Sequence, residues 1–131
     1  EAEMSYAGPN ALKRAQLAIN VLKSRCRYIG TNNPIRYDII GTMSVHSGDH
    51  EGNTNLSKFS NDGDYRIRVA TRGHDKEIIE RVNQEVLSLY CSGPAAGGGF
   101  RQHLTDQVQT ASILVARNKI APKVNFLTDY A

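Results

Sequence analysis

The sequence predicts an α+β fold: a ferredoxin-like split βαβ, with a four-stranded antiparallel sheet and two helices on one face. Three observations carry this expectation. Two stretches repeat apolar residues at helical spacing, each stretch is followed by a β-patterned segment, and "EMSYA" ahead of the first helix supplies a short strand. The order is then β-α-β-β-α-β, which leaves one sheet face to water or to a partner.

The elements follow in chain order. Gly8-Pro9 opens the first helix, where proline at the first helical position loses no hydrogen bond. Ala11, Ala15, Ala18 and Leu22 then recur on one face beside Leu12, Ile19 and Cys26, while Lys13, Gln16, Asn20, Lys23 and Arg27 take the wet side. "GTNNP" breaks the helix. "RYDIIGTMSV" is rich in β-branched residues and predicts a strand. "DYRIRVATR" alternates strictly, with Tyr65, Ile67 and Val69 pointing one way and Arg66 and Arg68 the other. Asp75 caps a second helix whose buried stripe is Ile78, Ile79, Val82, Val86, Leu89 and Tyr90, with Glu77 and Arg81 as an ion pair on its wet side. Gly93-Pro94 stops that helix, and "VQTASILVAR" is the expected last strand.

Composition bounds the function. A chain of 131 residues with 40% apolar and 22% charged residues suits a single α+β domain over residues 1–131. A formal charge of +3 is a mild excess, far from the basic face of a nucleic-acid binder, and no window is apolar enough to cross a bilayer. An RNA-binding module on this fold would place aromatics where "DYRIRVATR" places arginines, and those arginines suit a solvated sheet face. Two distant cysteines, Cys26 and Cys91, neither staple a secreted scaffold nor pair as metal ligands, so a reducing, cytoplasmic setting is expected. Cys91 stands at a helix C-terminus, which does not activate a thiol, and is expected to be a small packed residue. The chain has no initiator methionine and few residues before its first element, and the expectation is a fragment or subunit of a larger protein.

The sharpest feature is "CSGPAAGGGF", Cys91 to Phe100. Gly93 and Pro94 are explained by helix termination; Gly97, Gly98 and Gly99 need a second cause, either positive φ or close approach of backbone to a neighbour. The run follows a helix rather than preceding one, and no lysine-serine or lysine-threonine follows it, so a nucleotide triphosphate site is not expected. Read as a loop, its N–H groups form an anion-binding nest, with Arg101 supplying charge to a carboxylate or phosphate. The competing explanation is a tight connection packed against another domain. His103 is an accessory acid or base for such a ligand, with no carboxylate partner assignable.

A second candidate lies in "HSGDHEGNTNLSKFSNDG", a long polar stretch. His46, Asp49 and His50 can donate to a metal, with Glu51 adjacent, yet their spacing matches no metal signature and a solvated loop is the simpler reading.

"SYAGPNALKRAQLA", "YDIIGTMSV", "RIRVATR", "EVLSLYCSGPAAGGGFR" and "SILVAR" stand in this order along nearly the whole chain. Together they resemble the acyclic terpene utilisation family, with GPN-A-x-x-RA-x-LA and LY-x-x-GPA-x-GGG-x-R the most specific segments. Relatives often carry glycine at the position of Ala96. The resemblance is to the C-terminal part of the family's larger conserved region, and it implies a preceding α/β portion or separate subunit as partner and an oligomeric assembly. It implies a catabolic role linked to CoA-bound acids, with a CoA ester or small organic acid as substrate. It carries no catalytic role over to any single residue. A non-catalytic interaction or dimerisation module is the alternative.

Overall fold

The structure, a computed structural model, describes residues 1–42 and 59–125. Its elements are β1 (Ala2–Ala7), α1 (Ala11–Ile29), β2 (Ile35–Ile40), β3 (Asp64–Thr71), α2 (Lys76–Ser92) and β4 (Gly97–Gln102), followed by a short 3₁₀ turn at Arg117–Lys119. The strands form one sheet in the order β2-β3-β1-β4, and every neighbouring pair is antiparallel. The predicted α+β, ferredoxin-like arrangement is therefore present.

Strand alternation decides which face the helices cover. Ala2, Met4 and Tyr6 of β1 and Tyr65, Ile67 and Val69 of β3 are buried on one face. Against them pack Ala11, Leu12, Ala15, Ala18, Ile19, Leu22 and Cys26 of α1, every apolar position expected there. Full burial of a large side chain such as Leu22 or Ile67 contributes about 1.5–3 kcal/mol. The Asp75 carboxylate caps α2 as expected, accepting from the N–H groups of Glu77 at 2.9 Å and Ile78 at 3.3 Å.

Several expectations need correction. Pro9 lies in the turn before α1 rather than inside it, and the N-cap is Asn10, in a left-handed conformation. The first-turn donors are instead satisfied by the segment before β3: Asn10 N–H donates to Asp62 and Leu12 N–H to the Asn61 carbonyl. On α2 the buried stripe includes Asn83 and excludes Ile78, which is half-buried, and Tyr90, which is half exposed. Asn83 Oδ1 is buried with no hydrogen-bond partner among the described residues. The ion pair on the wet flank joins Lys76 and Glu80, one position earlier than expected. Cys91 is exposed; Cys26 is the packed thiol.

The largest correction concerns the fourth strand. It is not "VQTASILVAR" but the glycine run itself, Gly97–Gln102. Four residues between Ser92 and Gly97 return the chain from α2 to the edge of β1. Three glycines have poor strand propensity and hid this element, whereas Val108–Arg117 has the propensity but joins no sheet. Every described residue from 101 to 125 is exposed.

Candidate functional site

Gly97, Gly98 and Gly99 sit in one strand for three different reasons. A Cβ on Gly97 would stand 2.7 Å from Met4 Sδ and 3.1 Å from the Tyr6 hydroxyl, so the helix-covered side of β4 is filled to the backbone. Gly99 has φ +62 and lies where β4 slips register against β1: Ser5 pairs with Gly98 and Glu3 with Arg101, so Gly99 and Phe100 together oppose Met4. This is a β-bulge with its first residue in the left-handed region, the position glycine favours. Gly98 has neither constraint. A Cβ built there meets nothing within 4 Å.

In a strand, successive N–H groups alternate in direction, so this run does not gather them into the nest expected of a loop. It offers a bare stretch of sheet instead. Gly98 lies beside Ser5, and the position of a Gly99 Cβ is 3.8 Å from Ser5 Oγ and 3.9 Å from an Arg66 guanidinium nitrogen.

The open sheet face carries a row of charge across all four strands. Asp38 of β2 lies opposite Arg68 of β3, Arg68 opposite Glu3 of β1, and Glu3 opposite Arg101 of β4. The row alternates in sign. Asp38, with its side chain 4% exposed, accepts from Arg68 at 2.7 Å and from Arg36 at 3.0 Å. Bonding to Asp38 raises the Arg68 pKa, and this outweighs the opposing effect of desolvation. Glu3 pairs with Arg66 at 2.8 Å. Arg101 ends the row at the sheet edge, exposed, with no ion pair among the described residues.

The other expected residues fall elsewhere. Gly93 closes α2, its N–H donating to the Leu89 carbonyl at 3.0 Å; a Cβ there would lie 2.7 Å from that oxygen. Pro94 lies half-buried in the connection between α2 and β4. His103 is exposed and lies beside Glu1: its N–H donates to the Glu1 carbonyl at 2.8 Å, and its carbonyl accepts from the Glu1 ammonium at 2.7 Å. His46, Asp49 and His50 lie outside the described residues. Among the described residues no three His, Cys, Asp or Glu side chains converge on a metal position.

Sequence reading missed Glu3, Ser5 and Asp38 as members of one face with Arg66, Arg68 and Arg101. Alternation assigns each to a face, but only strand order and register place them side by side. It missed Arg14 too. This side chain, six ångström from the Tyr6 ring centroid, donates to the carbonyls of Ala7 at 2.6 Å, Pro9 at 2.9 Å and Ala95 at 2.9 Å. It thereby joins the GPN-A-x-x-RA segment to the GPA-x-GGG segment.

Residues 1–126 match the family described as acyclic terpene utilisation family protein AtuA. The chain belongs to the acyclic terpene utilisation family. Family membership supports a role in the catabolism of acyclic terpenes. No curated protein and no solved structure matches the chain. Within this family member, no helix among the described residues is long and apolar enough to cross a membrane.

Proposed function

We propose that this protein takes part in acyclic terpene breakdown by binding a small organic acid or CoA ester, with the open face beside β4 as the anion site. Arg101 contacts the carboxylate or phosphate, Arg66 and the Ser5 hydroxyl line the same patch, and Gly98 leaves room for the ligand against the backbone. The observation that carries this reading is the position of Arg101. It ends an alternating row of charge with no carboxylate beyond it among the described residues, next to a strand surface with no side chain at Gly98. An arginine fork suits planar oxyanions through paired hydrogen bonds. His103 follows Arg101 by two residues and is the nearest candidate for proton transfer to such a ligand.

The second reading is a non-catalytic interaction or dimerisation module within a larger assembly. It is favoured by the exposed apolar stretch after β4, where Ile113 is 80% exposed and Leu114 fully so. Growth on an acyclic terpene acid as carbon source, in a strain whose own copy carries Arg101→Ala, separates the two. Lost growth with an unchanged sedimentation profile supports the anion site. Lost assembly with unaltered intrinsic chemistry supports the module.

A further inference from the structure

We infer that residues 111–116 form an exchanged strand, adding to the outer edge of β4 of a second copy of this chain. The inference is independent of the anion site. Its first support is a mismatch between sequence and environment. "ASILVA" is β-branched and apolar, yet Ile113 and Leu114 are 80% and 105% exposed, and Val108 upstream is 86% exposed. Such a run, left in water, is a strand without a sheet.

The matching surface is on the same molecule. β4 is the end of the sheet, and no strand among the described residues pairs with its outer side. His103 is bonded to Glu1, so its neighbour Gln102 turns its own N–H and C=O outward. The Phe100 N–H donates to the Tyr90 hydroxyl at 3.1 Å, so a side chain of α2 supplies the acceptor that an added strand's carbonyl would supply. Helix α2 packs over β1 and β4. Its flank above this edge shows Tyr90 at 52% and Leu87 at 36% exposure, beside half-buried Phe100. A strand laid along β4 would present alternate residues to that ledge, and in "ASILVA" the alternate residues Ala111, Ile113 and Val115 are apolar.

The occupant is a second copy rather than the chain's own segment because that segment does not lie on its own edge: every described residue from 101 to 125 is exposed, and β4 ends the sheet. Reciprocal exchange between two copies closes a two-fold dimer with both edges covered.

Sedimentation of the chain over a wide concentration range, with Ile113→Asp beside it, tests this. A reversible dimer is expected, and Ile113→Asp should weaken it at least tenfold while leaving the melting temperature of the monomer unchanged, since Ile113 is 80% exposed in the single chain. Hydrogen exchange of residues 111–116 should show protection that is lost on dilution. Protection that survives dilution would assign the edge to the chain's own segment and overturn the inference. A monomer with unprotected amides, self-association indifferent to Ile113→Asp, or open-ended polymers would overturn it too.

Discussion

Arg14 on the first helix donates to the carbonyl of Ala95, in the turn between α2 and β4, at 2.9 Å. Two segments 81 positions apart are tied by one guanidinium, which also holds the Ala7 and Pro9 carbonyls. The turn that launches the glycine strand is thus fixed to the start of α1.

Replacing Arg14 by lysine should therefore be far from conservative. A single ammonium on a flexible stem does not reproduce a planar fork across three carbonyls. The expected loss is about 1.5–3 kcal/mol, the range for hydrogen bonds to a charged group. Urea unfolding of Arg14→Lys checks it, and an unchanged midpoint would remove Arg14 from this role.

The glycines should separate by position. Gly97→Val drives methyl groups into Met4 and Tyr6 and should cost about 1–3 kcal/mol, as overpacking does. Gly99→Val, at φ +62, should cost about 1–2 kcal/mol. Ala96 has φ 61, so Ala96→Gly should stabilise by up to about 1 kcal/mol. Gly98→Val should scarcely change the melting temperature yet impair ligand binding or assembly. Proportional loss of stability and activity at Gly98 would mean that the glycine serves the fold alone.

Stability should fall at alkaline pH. Burial pushes the Cys26 thiol above its ordinary 9.0, against a hydrogen bond with Tyr37 that lowers it, and burial likewise raises Tyr6 above 10.0 against the pull of Arg14. Both groups bind protons more tightly when folded. Their contribution is complete below the unfolded values and is lost as pH rises through the folded ones. Denaturation midpoints should be level below about pH 8 and decline above about pH 9. Cys26→Ala should flatten the first part of that decline.

The legible part of the fold was the part written in side-chain periodicity. Every fully buried position of α1, the alternation of β3 and the Asp75 cap could be read directly, because a helix face and a strand face impose periods on the chain. β4 could not be read, since glycine carries no side-chain pattern and its strand exists by virtue of the free edge of β1. Val108–Arg117 misled for the converse reason: propensity without a neighbouring strand makes no ladder. In the candidate site, Arg101 and the glycines were visible as a cluster. Glu3, Ser5 and Arg66 were not, because only register brings them beside it.

Register also gives Glu3 a role that can be tested. Its carboxylate neutralises Arg66 and stands opposite Arg101 on the face proposed to bind an anion. Glu3→Gln should tighten binding of acetyl-CoA several-fold, an effect of the size expected for removing a nearby like charge from a partly exposed site. Weaker binding in this variant would mean that Glu3 orients the ligand rather than competing with it.

Titration calorimetry of the chain with acetyl-CoA, repeated on Arg101→Ala, tests the anion site most directly. Loss of a charge-assisted pair should weaken binding by roughly 10- to 100-fold while sedimentation and melting temperature stay unchanged, since Arg101 is exposed and ends its row of charge. Equal affinity in the two proteins, or no binding to either, would contradict a role for the β4 face in anion recognition.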